Sequence, residues 1–203
     1  MREWLLAVVV VAAIGGCLAL YVEVAPLGGS LDGTTPIRKQ KSFLAEKAEQ
    51  VVDGLDWNQR GEIGVWIHSH HNQINGLLGH GRIASFGGKN YHGWESIYRM
   101  YTDGDNFDQV LAIEEDASTE SVRQDLQAFM LALKLAFEER NVRYLKLAHR
   151  IIHDLDYWVF RNCGEAYSDE KTKISQDYWG VTITLEGLEA PAAILLETHG
   201  QPE

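Results

Sequence analysis

Between residues 145 and 163 the chain reads Leu-Lys-Leu-Ala-His-Arg-Ile-Ile-His-Asp-Leu-Asp-Tyr-Trp-Val-Phe-Arg-Asn-Cys, and its spacing predicts a helix with a contradiction built into it. At about 100° per residue, Leu145, Ala148, Ile152, Leu155 and Val159 share one apolar face. His149 and Asp156 project from the middle of that face, and His153 stands at its edge. A polar group in a core-facing stripe costs about 1–3 kcal/mol unless something satisfies it. These side chains therefore either pair inside the fold or hold a ligand.

The helix before it is easier to read. Ser118 or Thr119 begins it, Glu120 lies in its first turn, and Val122, Leu126, Phe129, Leu133 and Phe137 form its stripe. Asn141 breaks the pattern. Two long helices with so short a connection should pack antiparallel, as a hairpin of 119–138 and 142–162. Arg150 and Asp154 fit a surface i, i+4 ion pair.

Residues 4–22 carry no charge and are flanked by Trp4 and Tyr21, rings that favour a membrane interface. About 20 apolar residues span a bilayer, so this run is read as a transmembrane or signal-anchor segment. A cleaved secretory signal is one rival. The other rests on Ile14-Gly15-Gly16-Cys17, which resembles a bacterial lipobox; that resemblance implies a lipidated Cys17. A short tail ahead of one apolar segment favours an extracytoplasmic soluble domain.

Residues 26–41, rich in Gly and Pro, read as a linker. Ser42 then opens a helix with Leu44, Ala48, Val51 and Leu55 at helical spacing. Ile63, Ile67, His70 or His71, Ile74 and Leu77 continue that period, with a short strand over 63–67 as the competing reading. A glycine-rich loop follows, without the order of a phosphate-binding loop. Trp94, Ile97, Tyr98 and Tyr101 suggest a short helix, and 106–115 another. Residues 179–185 alternate and are β-branched, which fits a strand or an extended segment covering a groove. The division is 1–25 anchor, 26–41 linker, 42–188 helical soluble domain, and 189–203 acidic tail or terminal helix. The fold class is mainly α: a membrane-anchored small helical domain around an antiparallel helical hairpin, with at most one or two short strands.

Seven of the eight histidines fall between His68 and His153. His149 and His153 at i, i+4, with Asp156 a turn further on, present three ligand-type groups from one helix. His68, His70 and His71 are the natural complement from another element. The candidate metal ligands are thus His68, His70, His71, His149, His153 and Asp156, and a divalent ion such as zinc is the matching cofactor. The same groups could instead form a satisfied structural network. No His-Glu-x-x-His occurs, so the usual metalloprotease arrangement is missing.

His68-Ser69-His70, preceded by Val65-Trp66-Ile67, resembles the strand-end His-Ser-His of the JAMM-type zinc isopeptidases, which implies a zinc site at the end of a strand. In that family a proline follows and a Ser-x-x-Asp completes the site; here His71 follows and no such motif sits at suitable spacing. Asp103, Asp105, Val110 and Glu114 match ligand or apolar positions of an EF-hand loop. Phe107 and Asp108 depart from it, so an acidic turn is expected there.

The net charge of −11 argues against a nucleic-acid surface. Cys17 and Cys163 lie in different segments, which leaves no disulfide framework, and Cys163 reads as a small residue at a helix end. The tryptophans Trp57, Trp66, Trp94, Trp158 and Trp179 are expected to pack, with Tyr178-Trp179-Gly180 as an alternative stacking surface. The functional expectation is a membrane-anchored, envelope-associated binding or scaffold module, with a protein partner and membrane attachment through 4–22. The alternative is a metal-dependent hydrolase using His68, His70 or His71 with His149 and His153.

Overall fold

The computed structural model describes residues 41–55, 57–102, 117–160 and 177–200. The anchor at 4–22, the linker to residue 40, both cysteines and the acidic turn that opens at Asp103 lie outside the described residues, as does the helix expected over 106–115. Among the described residues the protein is mainly helical and contains no strand. No described helix is long and apolar enough to cross a membrane.

Helix α1 (Lys41–Asp53) buries Leu44, Ala48, Val51 and Val52, the spacing of one face. Helix α2 (Trp57–Leu78) overturns the strand reading of 63–67. A strand would place Ile63, Val65 and Ile67 on one face, yet Ile63 and Ile67 are 1% and 0% exposed while Val65 is 71% exposed. Ile63, Ile67, His71 and Ile74 instead follow the helical period into the core. Burial of that row outweighs the propensity loss of about 1 kcal/mol at each of Gly61 and Gly64.

A 3-10 turn (Arg82–Gly87) carries the buried Phe86, and helix α3 (Gly93–Thr102) adds Trp94, Ile97 and Met100. Phe86 meets Trp94 edge-on with ring centroids 4.8 Å apart. The Trp94 indole N–H donates to the Gly88 carbonyl at 3.2 Å.

Helix α4 (Ala117–Glu139) buries Val122, Leu126, Phe129 and Leu133 of the expected stripe, and Ala128, Ala132 and Ala136 beside it. Its C-terminus is closed by two backbone bonds, from the Asn141 N–H to the Ala136 carbonyl at 3.0 Å and from the Arg140 N–H to the Phe137 carbonyl at 3.3 Å. That pairing requires a left-handed residue at Arg140, whose φ is 52°. A side chain there costs about 1–2 kcal/mol relative to the right-handed region. Asn141 then caps helix α5 (Val142–Asp154), its side-chain oxygen accepting the Arg143 N–H at 3.0 Å.

Helix α5 continues without a break into a π-helical turn (Leu155–Phe160). It is buried on more than its expected stripe: Leu147, Arg150, Ile151, Asp154 and Trp158 are also buried. α2 and α4 pack against α5 and α1 against its π turn, while the C-terminal helix over Pro191–His199 and the 177–182 segment add further cover. This position overturns the surface ion pair expected of Arg150 and Asp154, which are 6% and 0% exposed. Arg150 lies under the Trp179 ring, 4.9 Å from its centroid, and Asp154 binds backbone amides.

Residues 177–182 form neither helix nor strand and bend through the left-handed Gly180, φ 65°, then enter a short helix α6 (Ile183–Glu186) and a 3-10 turn (Gly187–Glu189). Neither reading of 179–185 describes the whole stretch: there is no strand, residues 179–182 are irregular cover on α5, and Ile183–Leu185 are helical. Helix α7 (Pro191–His199) opens on proline at its first position, where a missing N–H removes nothing from the helix, and packs on α4 through a face that includes Ala192 and Leu195.

Candidate functional site

The histidines of α2 and the polar intruders of α5 meet. His71, one helical turn from the fully buried Ile67 and Ile74, is 1% exposed and faces α5. Its ring centroid lies 5.7 Å from that of His149, 5.2 Å from His153 and 5.2 Å from Tyr157. Its Nδ1–H donates to Asp156 Oδ2 at 2.6 Å. His68 approaches the same oxygen through Nδ1 at 3.3 Å. One carboxylate on the π turn therefore gathers two histidines from consecutive turns of α2.

The other side of each imidazole is also engaged. Asn75 donates from Nδ2 to His71 Nε2 at 2.9 Å and accepts through Oδ1 from His149 Nε2 at 2.7 Å. Asn72 repeats the motif one turn earlier, donating to His68 Nε2 at 2.9 Å. An amide nitrogen only donates and an amide oxygen only accepts. The chain Asp156, His71, Asn75, His149 thus closes with His71 as the neutral Nδ1–H tautomer and His149 as the Nε2–H tautomer.

His153 and His70 have hydrogen-bond partners outside this chain of bonds. His153 donates from Nδ1 to Asp154 Oδ1 at 3.4 Å, and its ring packs 4.8 Å from Tyr157. His70 turns away to stack on Trp66, with centroids 3.7 Å apart, and donates from Nδ1 to the Trp66 carbonyl at 2.9 Å. Of the six candidate ligands, His71, His149, His153 and Asp156 come together, His68 joins at the more exposed edge, and His70 does not. The helical state of α2 also removes the strand end on which the His-Ser-His likeness depended.

Electrostatics follow the burial. Desolvation holds His149 down to about 3 from the ordinary 6.5, with the neighbouring His153, His71 and Arg150 acting in the same direction. His149 is neutral at physiological pH. Burial lowers His70 as well, against the raising effect of its bond to the Trp66 carbonyl.

Two further buried acids carry a separate task that the sequence reading missed. Asp154 accepts the Trp179 N–H at 3.1 Å and the Val181 N–H at 3.4 Å. Asp125 on α4 accepts the Ile183 N–H at 2.6 Å and the Thr184 N–H at 2.9 Å, capping α6 from another helix. Both acids are pushed upward by burial, Asp125 to about 7, with the amide bonds opposing. Asp125 stands between Val122 and Phe129 in the apolar stripe of α4, the same kind of intruder as Asp156. That position was the available signal. Asn75 had a signal too, the i, i+4 spacing from His71.

Chemically, an Asp–His pair can orient a general base. Here the Nε2 that would face a nucleophile accepts the N–H of Asn75, so the lone pair that would take a proton is already engaged. Metal ligation by His71 meets a similar obstacle, because both of its ring nitrogens already have partners. Among the described residues no group of three or more His, Cys, Asp or Glu side chains is placed to hold a metal ion. No protein family, curated protein or solved structure matches this chain.

Proposed function

We propose that the chain is a non-catalytic, envelope-associated scaffold or binding module, held at a membrane by residues 4–22 with its helical domain outside the cytoplasm and engaging a protein partner. One observation carries the non-catalytic part: the buried histidine and carboxylate groups satisfy one another through Asn75. A buried polar network closed in this way specifies packing between two helices, here α2 and α5. The uncharged run of 4–22 supports the anchor. We read α4 and α5 as the antiparallel hairpin at the centre of the module. Their connection is only Arg140 and Asn141, and Asp125 and Asp154, roughly equidistant from it, hold neighbouring parts of one segment.

A second reading, a metal-dependent hydrolase, is favoured by the approach of the His71, His149 and His153 rings, whose centroids lie 5.2–6.1 Å apart. Elemental analysis of the purified full chain, with thermal melts in the presence and absence of chelator, separates the two. The scaffold predicts no stoichiometric metal and no chelator effect, together with co-purification of a membrane protein partner. A stoichiometric metal that is lost on His149→Ala would replace it with the hydrolase.

A further inference from the structure

A second polar feature shares no residue with the histidine network. Lys89, Tyr91, Trp94, Tyr98, Phe137 and Arg140 border a cavity of ≈ 290 Å³ between the loop before α3, α3 itself and the end of α4. Four of these six are aromatic, and two carry a permanent positive charge. Glu95, the acid on the border, is paired with Arg99 at 3.0 Å. In a chain of net charge −11 this cavity is a local excess of cation.

Arg140 is the unusual member. Its backbone is left-handed, φ 52°, at a helix end where glycine is the favoured residue. Its guanidinium carbon lies 3.9 Å from the Phe137 ring centroid and 5.4 Å from that of Trp94. Its Nη1 is buried and makes no hydrogen bond among the described residues. A dry guanidinium donor without an acceptor is unfavourable by itself and is completed by a planar two-oxygen anion. With the Phe137 and Trp94 rings beside it, the guanidinium has N–H donors whose fork suits a carboxylate. The volume lies near the lower end for small-molecule sites, about 300–1,000 Å³, enough for one ring and a short acid chain.

We propose that this cavity binds a small aromatic carboxylate, its carboxylate held by Arg140 with Lys89 contributing charge, and its ring packed among Tyr91, Trp94, Tyr98 and Phe137. The site depends neither on the membrane anchor nor on the scaffold reading of the histidine network.

The test is isothermal titration of the full chain in detergent with 3-phenylpropanoate, beside its neutral amide and inorganic phosphate. One saturable site with Kd below about 1 mM is expected, with the amide and phosphate each at least tenfold weaker. Arg140→Gly should weaken binding at least tenfold without lowering the melting temperature, because glycine suits the backbone at that position. Arg140→Gln, which keeps the backbone strain, should lose binding to the same extent. Failure to saturate at several millimolar, equal binding of the amide, tighter binding of phosphate, or undiminished binding by both variants would each overturn the proposal.

Discussion

The sharpest consequence of the network is its dependence on pH through His149. In the unfolded chain this imidazole titrates near 6.5; in the fold, burial above all brings it to about 3. Between those values the unfolded chain binds more protons than the folded one, so stability falls as the pH falls through the window. The full loss is about 5 kcal/mol below pH 3, and about 2 kcal/mol has gone by pH 5. His149→Gln removes the titration while its side-chain amide can still donate to Asn75 Oδ1, the role of His149 Nε2. Urea unfolding followed by tryptophan fluorescence at pH 7.5 and pH 5 gives the comparison. The wild type should lose about 2 kcal/mol more than the variant between the two conditions. Taking the difference cancels contributions from other titrating groups, including Asp125, whose effect has the opposite sign. An equal loss in both proteins would refute a neutral, buried His149.

Asp125→Ala strands the amides of Ile183 and Thr184 and should destabilise the protein by about 2–4 kcal/mol. The folded pKa of Asp125 is raised to about 7 from 3.8, so the folded state retains the proton across that window, and the stability Asp125 confers declines as the pH rises through it. The cost of the substitution, measured by chemical denaturation, should therefore be larger at pH 5 than at pH 8. Asn75→Ala removes the donor to His71 and the acceptor for His149; water can partly replace it at this half-buried site, so the expected loss is about 1–3 kcal/mol. Hydrogen exchange should then show faster opening of both α2 and α5, rather than of α2 alone.

Legibility in the sequence tracked how local the physics was. The stripe of α4 and the helix break at Asn141 depend on spacing within one element, and both are present in the fold. The meeting of His71 with His149 and Asp156 was visible as an unsatisfied need on α5, because apolar neighbours forced those polar groups inward. Which α2 histidine would answer it was not visible. His70 and His71 are adjacent, and only the packing of Trp66 and Phe129 beside His70 directs His71 to α5. Arg150 and Asp154 illustrate the converse error. Their i, i+4 spacing fits an exposed pair, but the 177–182 segment returns from far along the chain to cover them. The π turn at Leu155–Phe160 also lacks a local signal, since its residues are ordinary helix-core types.

The central claim is that the imidazoles of His71 and His149 are neutral and hydrogen-bonded to one another through Asn75, as the proposed metal-free scaffold requires. Nitrogen-15 NMR of histidine-labelled protein at pH 7.5, before and after one equivalent of zinc, tests it most directly. His71 should show a protonated Nδ1 and an accepting Nε2, His149 a protonated Nε2, and neither should move when zinc is added. A zinc-induced shift at either ring, or a doubly protonated His149, would contradict it.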